Sequence, residues 1–457
     1  MRKVHDSMGE LELPDDTLYG ASTQRAVDNF PVSGHRMPQL FIESLGQLKL
    51  VCAEVNFQLG LLDEERCELI KLAAMEVAEG KLMDHFPVDV FQTGSGTSTN
   101  MNANEVIATR AMQLSGTDIE IHPNDHVNLG QSSNDVMPTA LHLSICQALD
   151  GHLKPALRQL NESLANKADE FWEVVKIGRT HTMDAVPITL GQEFSGYASQ
   201  IAKAFSRVEM AVDALEELAI GGTAVGTGLN THSDFAKNVV STLNEVTRFN
   251  FRQADNHFEA QAGRDDVVEV AGYLNVIAAS VTKIANDLRL LGSGPRSGLG
   301  EISLPAVQPG SSIMPGKVNP VMCEMMVQVG HYVQGLCVTV AGCGREGQFE
   351  LNTTIPLLAY SLHEMINSLA NGVKLFAEKC VDGIQVNAER CTELVQRSLM
   401  LVTALTPALG YERAAKVAKK AHVEGLSLKE VVLAEGLMSE AEVEEALDPT
   451  KMTKLAD

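Results

Sequence analysis

Apolar residues recur at spacings of four and three along five stretches of this chain. Phe194, Ala198, Ile201, Phe205, Val208, Val212 and Leu215 form one such stripe. Others run from Val267 to Leu288, from Met322 to Cys343 and from Leu358 to Cys380. A fifth runs from Leu141 to Leu164, with Pro155 inside it predicting a kink. Each stripe is one face of an amphipathic helix. A helix of roughly 25 residues spans about 37 Å, and stripes of this period pack nearly parallel. The pattern therefore predicts an all-α fold built on an elongated central bundle of five long helices. Apolar residues also lie beside the seam, among them Val268, Ile277 and Ile284. A single five-helix bundle buries one face of each helix, so self-association is expected.

Loops rich in Gly, Pro, Ser and Asn separate the stripes, at 92–104, 122–138, 178–191, 219–233 and 292–320. Turns and shorter helices before the first stripe suggest an N-terminal domain, residues 1–131. The long-helix domain is expected at 132–388. Short charged helices, including GYERAAKVAKKAHVEGLSLKEVV, suggest a small C-terminal helical domain at 389–457, with a packing or gating role.

Composition narrows the class. Hydrophobic residues at 45% with 21% charged describe an ordinary globular protein, and aromatics at only 5% favour helix-on-helix packing. A net charge of −23 opposes nucleic acid and anionic membrane as partners. It also means that an anionic substrate must be held by local positive charge and N–H groups. The eight cysteines form no CxxC pair and no zinc spacing, so buried free thiols are expected, with no metal site. The N-terminus MRKVHDSMGE has no apolar core of a signal peptide, and no window reads as a membrane span. A cytoplasmic enzyme is the expectation.

The polar loops carry the chemistry. GSGTSTNMNANE places Ser95, Gly96 and Thr97 at a helix start, where hydroxyls and N–H groups suit either an anion or plain capping. HPNDHVNLGQSSNDVMPT brings Ser132, Ser133 and Asn134 to the start of another, with a capping box as the plainer reading. GRTHTMDAVPITLGQE puts Thr180 and His181 in a loop just before a long helix. The densest segment is GSSIMPGKVNP, Gly310 to Pro320. Its glycines let backbone N–H groups approach a ligand, and its prolines restrict the loop before the ligand arrives. Ser311 and Ser312 offer hydroxyls, Lys317 a charge and Asn319 an amide, a set that can hold a carboxylate whose charge grows during reaction. Glu324, one turn into the next helix, is suited to orienting an imidazole.

GSSIMPGKVNP matches the signature of the fumarase/aspartase superfamily. The opening LPDDTLYGASTQRAVDNFPVSG, the GGTAVGTGLNTH segment with His232, and SLMLVTALTPALGY also resemble that superfamily, and its class II fumarase branch in particular. The resemblance covers essentially the whole chain. It implies a homotetramer with a 20-helix core, each active site assembled from loops of three subunits. It further implies reversible hydration of fumarate to L-malate, a carbon–oxygen lyase step of the tricarboxylic acid cycle, without metal or organic cofactor. Aspartate ammonia-lyases typically carry Gln where His181 stands and PAKVNP where this chain has PGKVNP with Gly316. That lyase activity, and a non-catalytic scaffold, are the alternatives.

Carried onto this sequence, the resemblance makes Ser311 the base that removes a proton to form an aci-carboxylate, with Ser312 in contact with substrate. Lys317 and Asn319 stabilise the charged carboxylate, and His181 paired with Glu324 delivers the proton to the departing hydroxide. His181 as the base remains open at this point. Ser95, Gly96, Thr97, Ser132, Ser133, Asn134, Thr180 and Val318 complete the expected substrate contacts. His122, Pro123, Asn124 and Asp125 form a possible secondary anion site. Ile119 puts that secondary site in doubt, because some class II fumarases carry Arg there.

Overall fold

A computed structural model describes residues 1–116 and 118–454 of the chain; the last three residues of the expected C-terminal domain lie outside the described residues. The chain begins with β1 (Arg2–Asp6), β2 (Gly9–Leu13), α1 (Ala21–Asn29), α2 (Gln39–Gln58), α3 (Glu64–Ala78), α4 (Thr97–Ser115), α5 (Ser133–Ala148) and α6 (Lys154–Glu170). Next come β3 (Val175–Thr180), β4 (Met183–Thr189), α7 (Leu190–Asp213), β5 (Glu217–Leu218), α8 (Phe235–Thr247), β6 (Arg252–Gln253), α9 (His257–Ala262) and α10 (Asp265–Leu291). The remainder is β7 (Ile302–Ser303), α11 (Val321–Gly344), α12 (Ile355–Lys379), β8 (Gln385–Val386) and α13 (Ala388–Arg397), then α14 (Thr406–Leu409), α15 (Tyr411–Glu424), α16 (Leu428–Ala434) and α17 (Glu440–Ala446). Among the described residues the strands form isolated two-stranded pairs, and the fold is all-α as the stripes predict.

All five predicted long helices are present. Every stripe residue of α10 and the last stripe, from Leu358 to Cys380, is buried, and each large aliphatic or aromatic side chain so buried stabilises by about 1.5–3 kcal/mol. The fifth stripe runs through α5 and α6, and its leucines from Leu141 to Leu164 are buried. Between these helices the backbone widens to an i→i+5 turn at Leu149–Leu153. Pro155 lies immediately beyond; its ring cannot donate a hydrogen bond and crowds the preceding turn, and a widened turn accommodates both.

Two expectations need correction. Ile277 and Ile284 are buried within the chain itself, so they supply no surface for self-association. Apolar residues left exposed on the long helices instead include Met210, Val276, Leu290, Tyr332, Val338 and Leu375. The expectation of no membrane-length segment also fails on length and composition, because α10 is long and apolar enough to cross a bilayer. Its stripe from Val267 to Leu288 is packed inside the protein, which is what a central bundle helix requires.

The chain divides into two compact units. The first comprises Met1–Pro155, Phe205–Ala278 and Val329–Ala370; the second comprises Ala156–Ala204, Ala279–Gln328 and Asn371–Asp457. In the second unit the C-terminal helices close a core around Ile177 of β3, with Val395, Leu401, Leu405, Val417 and Val431. The tail therefore buries the foot of the hairpin whose tip carries His181.

Candidate functional site

In the first unit, α4 begins at Thr97 behind Gly96, a left-handed residue with φ +76° that makes no side-chain cap. Thr97 and Ser95 do not cap the helix either. Their hydroxyls share a hydrogen bond at 2.7 Å, and Thr97 shares another with Ser133 at 2.8 Å. Three predicted contact residues thus form one hydroxyl chain beside a helix start that their own side chains leave uncapped, an arrangement that suits an anion. Gln92 takes up one N–H of this first turn from outside the helix, accepting from the N–H and hydroxyl of Thr99.

The start of α5 is built differently. Ser132 caps it, accepting from Asn134 N at 3.3 Å, while Asp135 accepts from Ser132 N at 2.9 Å. The capping box is therefore real, and the Ser132 oxygen is used in it. Asn134 donates to Ala224 O at 2.8 Å, which fastens this turn to the glycine-rich 219–233 segment. Asp135 was missed at the sequence level, which named only Ser132, Ser133 and Asn134 in this turn. Its other carboxylate oxygen accepts from Gly221 N and Thr223 N at 2.9 and 3.0 Å. Complete burial pushes its carboxyl above the usual range, against those three N–H donors and the nearby Lys49 charge.

In the second unit, Thr180 and His181 lie at the tip of the β3–β4 hairpin and not in the loop before a helix that the sequence suggested. Thr180 pairs with Met183, leaving a two-residue turn of His181 and Thr182. Both have left-handed backbone, φ 59° and 62°. That is the hairpin turn normally made by Asn-Gly. Placing a histidine and a β-branched threonine there stores strain that the surroundings must hold. They do so below the tip: Arg179 donates both guanidinium arms to Glu301 at 3.0 Å, and Lys176 approaches Glu193 and Glu301 at 3.1 and 3.4 Å. Glu301 is completely buried. The His181 imidazole is exposed and, among the described residues, makes no hydrogen bond.

Gly310–Pro320 closes on itself at its neck. Asn319 donates to Gly310 O at 2.6 Å, and a Cβ on Gly310 would collide with the Lys317 carbonyl. Glycine is obligatory there because two backbone stretches touch. Ser311 Oγ accepts from Met314 N at 3.1 Å and from Ile313 N at 3.3 Å. Two N–H groups aimed at one hydroxyl oxygen favour negative charge on it. Ser312, Lys317 and Val318 are exposed, and Lys317 has no ion-pair partner among the described residues. Gly316 is left-handed at φ +81°. Glu324 occupies the first turn of α11, also exposed. Within one chain His181 and Glu324 form no ion pair.

Around the possible secondary anion site, His122 Nδ1 caps the turn Pro123–Val127, accepting from Asn124 N and Asp125 N. A cavity of ≈ 880 Å³ adjoins it, lined also by Arg25, Asp6 and Glu105. Arg25 is held by both oxygens of Asp6 at 2.7 and 3.0 Å, so the cation there is already paired.

A family model described as "Lyase" matches residues 9–335, and one described as "Fumarase C C-terminus" matches residues 401–454. The class II fumarate hydratase of Corynebacterium glutamicum is 53% identical, over 99% of this chain and 96% of its own length. That of Mycobacterium tuberculosis is 52% identical, over 98% and 94%. Among solved structures, a class II fumarase from Schistosoma mansoni superposes with a TM-score of 0.96 at 41% identity, covering 99% of this chain and 98% of the other.

Proposed function

This chain belongs to the class II fumarate hydratase family, and we propose how its residues divide the work of that reaction. The enzyme is a hydro-lyase that hydrates fumarate reversibly to malate. The relatives favour this over the ammonia-lyase and scaffold alternatives. In the malate-to-fumarate direction, Ser311 acts as an alkoxide and takes the proton from C3. The electron pair moves into the adjacent carboxylate, giving an aci-carboxylate. Lys317 and Asn319 lower the energy of that state by binding the carboxylate as its charge grows. The bond from C2 to oxygen then breaks, and His181 supplies the proton with which hydroxide leaves as water.

The observation that carries this reading is the pair of N–H groups from Ile313 and Met314 directed at Ser311 Oγ, in a loop that also presents an unpaired lysine. Ser95, Gly96, Thr97, Ser132, Ser133, Asn134, Thr180, Ser312 and Val318 hold the dicarboxylate through neutral donors and contacts. The working form is a soluble, cytoplasmic homotetramer in which loops of three subunits meet. Large apolar groups left in solvent by the single chain support it: Ile313 in the signature loop is 82% exposed, Val338 on α11 72% and Phe349 93%. Assembly also supplies the partner that His181 lacks, Glu324 of another subunit. The test is turnover by Ser311→Ala and His181→Asn at unchanged fold. Both should lose at least about 100-fold in kcat. Near-normal kcat in Ser311→Ala removes serine from the mechanism and leaves His181 as the base.

A further inference from the structure

Lys49 on α2 is completely buried, yet no carboxylate pairs with it among the described residues. A lone buried ammonium is costly to keep, so its surroundings must use it. They are amide groups. Lys49 Nζ donates to Asn128 Oδ1 at 2.8 Å and to Gln131 Oε1 at 2.9 Å. Asn128 Oδ1 accepts two further bonds, from the side-chain amides of Asn100 and Asn104, each at 3.2 Å. The Asn128 amide donates to Gln131 O at 3.1 Å. The Gln131 amide donates to Val127 O and Leu129 O, both at 3.2 Å, and Asn56 donates to Leu129 O at 3.0 Å. The side chains of Asn128 and Gln131 and the carbonyls of Val127, Leu129 and Gln131 are thus tied to α2, α4 or the segment itself.

The amide oxygens of Asn56, Asn100 and Asn104 find no donor among the described residues. The pocket is therefore richer in acceptors than in donors, an environment that selects a cation with three N–H groups over a neutral side chain. Segment 127–131 runs without a break into Ser132, Ser133 and Asn134 at the start of α5. Resting on the functional reading above, we propose that Lys49 is a positioning residue: its buried ammonium clamps segment 127–131 so that the Ser132–Asn134 turn presents its donors to the substrate carboxylate. Lys49 itself never touches substrate. Burial pushes its ammonium down to about 8, opposed by the Cys52 thiol on its own helix and by Asp135 on α5. The clamp is therefore charged below that pH and released above it.

The test compares Lys49→Met with the wild-type enzyme in the assembled state. Losing charged hydrogen bonds from the clamp should raise KM about 10-fold or more, with kcat changed only a few-fold, because the turn binds ground and transition state alike. Wild-type KM should climb above about pH 8, and this alkaline limb should be missing in Lys49→Met. Adding Asn134→Ala should reveal coupling: on that background Lys49→Met should cost less than about 2-fold more. Unchanged KM, full additivity, or a loss in kcat alone would each overturn the proposal. Should Lys49→Met fail to fold, Gln131→Leu removes one of the two acceptors at a half-buried position and should raise KM about 3-fold. Amide exchange across residues 127–134 gives a readout free of the reaction. Faster exchange there, with the rest of α5 protected, is expected in either variant; unchanged exchange refutes the clamp even if the enzyme should prove to act on a different substrate.

Discussion

Gly310→Ala places a methyl group where the neck of the signature loop closes. The added Cβ would lie far inside contact distance of the Lys317 carbonyl oxygen and 2.8 Å from Asn319 N, and both are backbone atoms that cannot swing aside. The neck must open by about 1 Å, which breaks the 2.6 Å bond from Asn319 to Gly310 O and moves Lys317 and Asn319 together. Displacements of this size in a positioned group cost about 100-fold in rate, or close to 3 kcal/mol of transition-state stabilisation. The loop is largely exposed, so little of this cost reaches global stability. The assay pairs kcat/KM for malate with urea unfolding of the same preparation. We expect kcat/KM to fall about 100-fold while the unfolding free energy changes by less than about 1 kcal/mol. Gly316→Ala is the matched control: φ is +81°, but no atom lies within 4 Å of the new Cβ. It pays only conformational strain of about 1 kcal/mol and should lose less than about 10-fold. Near-normal kcat/KM in Gly310→Ala would refute a preorganised loop, as would equal losses in the two variants.

His181→Asn should raise unfolding stability by up to about 1 kcal/mol, because asparagine tolerates the left-handed backbone at φ 59°, even as kcat collapses; a destabilised variant would remove strain from the account. Arg179→Met leaves the buried Glu301 with only Lys176 at 3.4 Å, and should cost about 3 kcal/mol and slow turnover through the hairpin; unfolding and kinetics together decide. Lys317→Met should raise KM and abolish its dependence on ionic strength, and salt dependence equal to wild type would contradict its role as the charged contact. The Lys49 ammonium, pushed from 10.5 down to about 8, binds its proton less well in the folded state than in the unfolded one. Stability relative to Lys49→Met should thus increase, by about 3 kcal/mol in all, as pH climbs from about 8 to 10.5. A flat difference across that window would show that the group is not desolvated.

The long helices were legible because apolar residues recur at spacings of three and four for some twenty-five residues. Burial follows the stripes fully on α10, α12 and α5–α6, while Ala198, Phe205 and Val212 on α7 and Met322, Val329 and Leu336 on α11 are half-buried. The signature loop was legible too, since Gly, Pro, Ser and Lys each bring a distinct backbone or hydrogen-bonding property. The β3–β4 hairpin was not. Its turn residues are His181 and Thr182, not the glycine or asparagine that announces such a turn, and Pro187 sits within β4. What permits it is long-range: Arg179 reaches Glu301, 122 residues away. Lys49 was equally invisible, because a single lysine in LGQLKLVCAEVN reads as a solvent-facing residue until Asn128 and Gln131 are seen around it. The hydroxyl chain from Ser95 to Ser133 depends on the Thr97–Ser133 bond between residues 36 apart, which local capping arguments do not foresee.

The most direct test is ultraviolet absorbance during incubation of the purified protein with L-malate and, separately, with L-aspartate. Fumarate's conjugated double bond absorbs where neither substrate does. The account predicts growing absorbance with L-malate and none with L-aspartate. Growth with L-aspartate alone, or no growth with L-malate, would contradict it.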